Sequence, residues 1–439
     1  MNKLVFVITK AFLMFLAVSL AAQTTQAQAP DLPGEGPLLL PGTETSKMNL
    51  LTLGLRISSD FDDNALNSDK NQQENLVASI QPHLGWHLSR TRLDWAVDYT
   101  PGVSRSQSLS VYDSFSHLLD SRFQLKLAKR LRLRIHESFL KSTNPFDQLR
   151  ASESAAGPAV RDVPNATVPA TLAEVRTEQA SADIVYALSA HSTAGIGGDF
   201  FSASYNLSSG GQLPGQVLQN TRSAGGHGYY SRQFSRRQWT GFDYYVQKII
   251  LNSGESWSLV HSLAYTHTIR LSRPMMLSFF AGPERSVTAN LTEVSSPSGP
   301  VFSAGYSSWR WTGGATAIWS GVRTSLTARL SRRVSVDGIL GAVSLSSTSA
   351  EVNRQFARQW TARLLASYDD SKALAGSGAF AYVSAAGGLT RTVSPNLSIA
   401  LQYWRVHVLS QSFLPAGFLS DHNRISMSIT YEFAYPLGR

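Results

Sequence analysis

From about residue 48 onward, apolar and polar residues alternate with a period of two, in stretches longer than ordinary soluble strands. Leu76, Ala78, Ile80, Pro82, Leu84, Trp86 and Leu88 place the apolar set on one face. Val77, Ser79, Gln81, His83, Gly85 and His87 fall on the other. Successive side chains of a strand point to opposite faces, so this is one long strand with an apolar and a polar side. Soluble strands run to about 5–6 residues. Stretches of roughly 9–13 suit a tilted strand crossing a bilayer.

The same alternation recurs in Leu51–Ile57, Leu93–Tyr99, Leu119–Leu127, Leu131–Phe139, Ala180–Leu188, Thr240–Val246, Trp360–Tyr368, Leu397–Tyr403 and Ile425–Phe433. In all, 16–18 such segments are legible. The span 258–270 leaves open which face points out, and 334–356 is weakly patterned. After Ala22 no apolar run approaches the ~20 residues a membrane helix needs. Charged residues make up 16% of the chain, below the ~25% of soluble domains. The absence of cysteine excludes a disulfide scaffold, thiolate-bound zinc, a catalytic thiol and lipid attachment at an N-terminal cysteine.

The N-terminus reads as an address. Met1–Lys3 is short and basic, Leu4–Ile8 and Ala11–Ala22 are apolar, and a small-residue tail follows. That is the layout of a secretory signal peptide over residues 1–27, with cleavage expected after Ala27. Loss of Lys3 and Lys10 lowers the net charge from +9 to +7. Residues 28–47, with Pro30, Pro33, Pro37 and Pro41, form a proline-rich periplasmic leader. Residues 48–439 form the strand-rich unit.

The gaps between segments come in two sizes. Short ones include Ser89–Arg92, Ala128–Arg130, Ala190–Ser192, Ser235–Arg237, Ser272–Pro274, Ala357–Gln359 and Val393–Asn396. Long ones lie near 60–75, 103–116, 141–177, 206–222, 284–308 and 408–422. Short turns at one rim and long loops at the other mark an outer-membrane barrel. Leu330-Ser-Arg-Arg333, a copy of the short-turn motif, falls where this alternation requires an external loop. Two hairpins test the register. A two-residue turn at Arg90-Thr91 sets Trp86 against Trp95 and Leu84 against Val97, with His87 against Asp94 and His83 against Asp98 on the other face. A three-residue turn at Ala128–Arg130 sets Leu125 against Leu133 and Phe123 against Ile135. Like faces match, as cross-strand pairing requires.

A backbone in lipid must satisfy every N–H and C=O, so a sheet there must close on itself. The fold expected is therefore an all-β transmembrane antiparallel barrel of about 18 strands, with short periplasmic turns and long extracellular loops. A soluble sandwich, propeller or solenoid would not need nine Trp near strand ends.

The chain resembles the porin-like outer-membrane β-barrels of diderm bacteria. The residues that carry the resemblance are the signal peptide, Ser59-Asp-Phe-Asp-Asp-Asn-Ala-Leu66, Phe280-Ala-Gly-Pro-Glu284, and the last strand Ser428-Ile-Thr-Tyr-Glu-Phe433, which Ala434–Arg439 extends. The resemblance is architectural and carries over no ligand or catalytic residues. It implies outer-membrane lipid as the surroundings, barrel-assembly machinery as the partner of the C-terminal strand, and small solutes as cargo.

The polar faces of the second to fifth strands present His83, His87, Asp94, Asp98, Asp120, Arg122, Lys126, Arg132, Arg134 and His136 to the lumen. Lys126 would face Arg132, a like-charge pair that a wet pore or an anion would relieve. Two readings stay open: a stripe that attracts anions, since rings of Arg and Lys favour them, and an ion-pair network bracing one wall. The function expected is a porin-like passive diffusion channel for small polar or anionic solutes. The alternatives are a barrel for polysaccharide export or surface interaction, and an outer-membrane hydrolase. For the last, His261 and His267 are the candidates on the lipid face, and no enzymatic activity is expected. The leader is too short for a plug domain. Asp60, Asp62, Asp63, Asp69 and Glu74 read as a solvated loop. They fail the calcium-loop pattern, since Ala65 stands where glycine is needed and Asn71 where glutamate is needed. No cofactor, metal or nucleic acid is called for.

Overall fold

The computed structural model describes residues 49–66, 72–110, 113–144, 147, 173–207, 220–251, 256–290, 294–296, 299–301, 306–337, 341–374, 378–412 and 421–437. The segments expected as signal peptide and leader, residues 1–47, lie outside them. The strands are β1 (Leu50–Asp62), β2 (Asn75–Ser89), β3 (Leu93–Ser106), β4 (Ser114–Lys126), β5 (Leu131–Ser142), β6 (Ala173–Ser189), β7 (Ser192–Leu207), β8 (Thr221–Ser235), β9 (Gln238–Leu251), β10 (Ser256–Arg270) and β11 (Met275–Asn290). A small hairpin follows, β12 (Val294–Ser296) and β13 (Gly299–Val301). Then come β14 (Tyr306–Ser320), β15 (Thr324–Asp337), β16 (Gly341–Ala357), β17 (Trp360–Ala373), β18 (Ala379–Ser394), β19 (Leu397–Ser412) and β20 (His422–Pro436). All but β12 and β13 form one 18-stranded sheet. It closes where β1 pairs antiparallel with β20, from Leu50–Pro436 to Asp62–Arg424.

Closure sorts the alternating residues into two surfaces. Leu53, Leu55 and Ile57 of β1, Ile196 of β7, Phe242 of β9, and Met427, Ile429 and Tyr431 of β20 are exposed on the outside. Their intervening partners, among them Ser58, Asp60, Ser426 and Ser428, are buried on the inside. Apolar-out and polar-in is the inverse of a water-soluble protein and fits a barrel set in hydrocarbon. The phase of β10 is now settled: Leu263 and Tyr265 are exposed outside while Ser258 and Thr268 are buried inside. His261 and His267 therefore face outward.

Several expectations need correction. The β2–β3 ladder runs Leu84–Tyr99, Trp86–Val97 and Ser89–Asp94, not Trp86–Trp95. The Arg90 N–H donates to the Leu93 carbonyl at 2.6 Å, so the two-residue turn is Thr91-Arg92. Moving a turn by one residue shifts the register by two, which leaves every side chain on its expected face. The β4–β5 register, with Leu125 against Leu133, is as expected. Pro82 and Pro101 fall opposite one another where the β2–β3 pairing is interrupted between Ile80–Val103 and Leu84–Tyr99. Two residues without an N–H thus share a single gap in the ladder.

The two-size alternation of gaps is not strict either. Residues 252–255 and 338–340 are short connections on the long-loop rim. Leu330-Ser-Arg-Arg333 lies within β15, and the turn is Gly321–Arg323. Strands also extend into segments expected as loops: β1 reaches Asp62, β3 Ser106 and β11 Asn290.

Asp60 and Asp62, expected in a solvated loop, lie within β1, and Asp63 follows it directly; Glu74 is exposed, and Asp69 lies outside the described residues. Asp60, Asp62 and Asn64 are almost wholly buried, because they clamp the closure seam. Arg424 Nε donates to Asp62 Oδ2 at 2.6 Å, Ser426 Oγ donates to Asp60, and Asn423 Nδ2 donates to Asp63 at 2.6 Å. Asn64 Nδ2 donates to the Asp421 carbonyl at 3.2 Å. Burial pushes the Asp421 carboxyl pKa up, but hydrogen bonds from His407 and the Val408 N–H outweigh it and hold the carboxyl below the usual range. Among the described residues, no three His, Asp or Glu side chains gather as metal ligands.

Candidate transport lumen

The wall of β2–β6 carries all the nominated side chains on its inner face. Asp98 stands directly opposite Asp120, a like-charge pair that costs free energy in a sheet. Neighbours relieve it. His83 Nε2 lies 3.2 Å from Asp98 Oδ1. Asp120 takes Arg122 Nε at 2.9 Å and His136 Nε2 at 2.8 Å on its two oxygens. His87 Nε2 lies 3.5 Å from Asp94, which also accepts from Ser89 Oγ at 3.3 Å. With the register shifted by two, both His–Asp contacts on β2–β3 run diagonally rather than straight across. Long side chains span that diagonal readily.

Toward the short-turn rim the balance changes. Lys126 faces Arg132, and Gln124 faces Arg134. Across β5–β6, Arg134 stands opposite Asp183, which is itself held by His227 Nε2 at 2.7 Å. Gly197 of β7 makes room for that pair, since a Cβ there would sit 2.1 Å from Asp183 Oδ1. Lys126 and Arg132 form no ion pair among the described residues. The two readings left open by the sequence thus divide the wall. The part from Asp94 to His136 is a braced network, while Lys126 and Arg132 offer positive charge to the short-turn mouth.

Two segments narrow the long-loop half of the lumen; the sequence of 141–177 fits an inward constriction and an outward surface alike, and the second segment was not legible. After β5 the chain turns inward. Asn144 is fully buried and Asp147 nearly so. Asp147 accepts from Gln81 Nε2 at 2.7 Å and from Ser142 Oγ at 3.0 Å, while Asn144 Nδ2 donates to Ser79 Oγ at 3.5 Å. Ser79 and Gln81 belong to the inner face of β2, so the start of the 141–177 segment crosses the inside of β3 and β4.

The second intrusion is the β15–β16 hairpin. The β14–β15 ladder ends at Gly313–Arg332, where Thr312 Oγ1 donates to the Arg332 carbonyl at 3.0 Å. Beyond that point β15 leaves the wall. Val334 joins Ile249 and Leu251 of β9 and Val260 of β10 in one apolar cluster with Ala342 and Leu374. The Val334 N–H donates to Glu284 of β11 at 3.4 Å. Ala342, Val343, Ser344 and Leu345 are buried in succession, because both faces of the hairpin are covered inside the barrel. This accounts for the lost alternation at the start of 334–356; Ser346–Arg354 lie in the wall against Thr324–Arg332. A cavity of about 150 Å³ remains between hairpin and wall, lined by Tyr245, Gln247, Ser262, Glu284, Thr312 and Arg333 among others. Glu284 belongs to the Phe280-Ala-Gly-Pro-Glu284 motif. The β10–β11 pairing is interrupted at Gly282-Pro283, and a Cβ on Gly282 would meet the Leu263 carbonyl at 1.7 Å.

No protein-family profile matches the chain, and no curated protein matches it. Among solved structures, the outer membrane protein opdK from Pseudomonas aeruginosa is similar over 88% of this chain and 99% of its own, at 12% identity and a TM-score of 0.45. Pseudomonas aeruginosa OccK2 (OpdF), crystallised with glucuronate, is similar over 88% and 98%, at 11% identity and a TM-score of 0.46. Pseudomonas aeruginosa OpdQ is similar over 89% and 99%, at 12% identity and a TM-score of 0.43. Similarity this distant assigns no role to any residue of this chain.

Proposed function

We propose that this protein is an outer-membrane channel through which small polar solutes, preferentially anions, diffuse passively. The observation that carries the reading is the lumen wall itself. An apolar exterior encloses a polar, charged interior, and cations stand unpaired at one mouth while two inturned segments narrow the other half. A barrel of 18 strands is wide enough for an aqueous path. The intrusions trim that path. Lys126, Arg122, Arg132 and Arg134 raise the local concentration of counter-ions along one wall. His83, His87, Asp94, Asp98 and Asp120 hold that wall in shape and temper its charge. The roles of these side chains, the outer-membrane location, the short-turn rim in the periplasm and delivery by assembly machinery through β20 all belong to this proposal.

Single-channel recording of the refolded protein in planar bilayers tests it. Discrete openings with a reversal potential on the anion side are expected. Absence of any conductance from correctly folded protein would favour a closed barrel serving export or surface interaction.

A further inference from the structure

The outer face of the barrel holds a second charged surface, distinct from the lumen. Elsewhere on the long-loop half, three outward-pointing cations are paired with carboxylates, while Arg105 and Arg405 stand singly among the described residues. Lys141 pairs with Glu174 at 3.2 Å, Arg176 pairs with Glu178, and Lys372 pairs with Asp370 at 2.9 Å. The outer faces of β8 to β15 are different. They carry Arg222, Lys248, Arg285 and Arg332, and among the described residues no Asp or Glu points outward beside them. None of the four forms an ion pair among the described residues.

Three of them lie over exterior tryptophans instead. Lys248 Nζ lies 5.8 Å from the Trp257 ring centre, Arg285 Cζ 5.9 Å from that of Trp309, and Arg332 Cζ 4.9 Å from that of Trp311. Trp309 and Trp311 are strongly exposed. Tryptophan is the side chain that settles at the level of lipid headgroups, so these contacts fix the cations at that depth.

The four also follow the stagger of the barrel. In a staggered barrel the line of paired residues climbs along the wall from strand to strand. Here the line through Arg222 passes Ile250, Trp257 and Ala289 on its way to the long-loop rim. Lys248 pairs with Leu259, Arg285 with His261 and Arg332 with Gly313. Each successive cation thus sits lower on that line, against the climb.

We propose that this row is a docking surface for the phosphate-bearing headgroups of the lipids around the barrel. Guanidinium and ammonium groups at headgroup depth, held by aromatics and without protein counter-charges, match a layer of phosphates. A second copy of this chain would bring like charge against like charge and does not fit. The inference rests on membrane placement and not on the channel reading.

The test uses the full chain refolded in detergent, with its fold verified by heat-modifiable migration. Retention of diphosphorylated lipid A is compared with that of the same lipid stripped of phosphate, with inorganic phosphate as competitor. Wild type should retain the phosphorylated lipid at least 10-fold better than the stripped one. The variant R222Q/K248Q/R285Q/R332Q should lose that preference. A variant in which Arg and Lys are exchanged at the four positions should keep it, as should K141Q/R176Q. If the four-site variant misfolds, R222Q/K248Q and R285Q/R332Q should each weaken retention severalfold. Undiminished retention in the Gln variants, equal binding of the stripped lipid, or displacement by millimolar inorganic phosphate would overturn the proposal, the last by revealing a small-anion site. Loss of conductance with retention intact would instead count against the channel alone.

Discussion

Asp62 on the first strand and Arg424 on the last form a 2.6 Å ion pair that is almost wholly buried, with side-chain exposures of 4% and 1%. Removing one partner of a buried pair leaves a desolvated charge, which costs about 3–5 kcal/mol. Arg424→Gln should therefore lower the temperature or denaturant concentration at which the refolded barrel opens, as read by gel mobility. Replacing both residues with apolar side chains of similar volume should cost much less. Equal losses from the single and double replacements would mean that the pair does not hold the seam.

The neighbouring Asp421 adds a pH dependence of known sign. Its carboxyl is held below the usual range by His407 and Val408. A depressed carboxylate pKa stabilises the fold above the unfolded value of about 3.9, and the contribution disappears as pH falls through the folded value. Asp421→Asn should therefore be less stable than wild type at pH 6. The gap should close as the pH is lowered below about 4. A gap unchanged at low pH would point to another cause.

Topology is open to a direct test. A protease site placed within 141–177 should be cut on intact cells, and one at Lys129 should not. The opposite pattern would invert the barrel in the membrane.

Ion preference should respond to the short-turn mouth. Replacing Arg132 and Arg134 with Ser should move the reversal potential toward cations and leave assembly intact, since neither residue faces lipid. The wild-type preference should fade at 1 M salt, where the Debye length falls to about 3 Å. An unchanged reversal potential in an open channel would make the stripe structural.

The inturned hairpin sets pore calibre. Replacing residues 335–343 with a short glycine–serine turn should raise conductance severalfold in planar bilayers. No increase would place the limiting constriction at Asn144 and Asp147 instead.

Wherever one face meets lipid and the other meets water, the strands could be read from the chain alone. Ile57 and Ser58, or Leu84 and Gly85, announce their sides by chemistry. Register was less legible, because Arg90, Thr91 and Arg92 are equally able to turn and a shift by two preserves every face. The inturned parts were illegible for the complementary reason. Val343 and Ser344 are both covered, so period two carries no information about them. Asp60 and Asp62 look like a loop because their partners, Ser426 and Arg424, lie at the other end of the chain.

The departure of β15 from its neighbour leaves the wall unequally stitched. The β1–β20 ladder runs the whole length of β1, whereas β14 is laced to β15 only over Gly313–Ser320. Cooperative units open first where fewest hydrogen bonds must break. Those amide protons of β14 between Tyr306 and Thr312 that point toward β15, and not the ones paired with β11, should therefore exchange with solvent sooner than those at the β1–β20 junction. A cylinder whose termini are bolted together would begin to unzip two-thirds of the way along its sequence, at the place where it reaches inward to narrow its own bore.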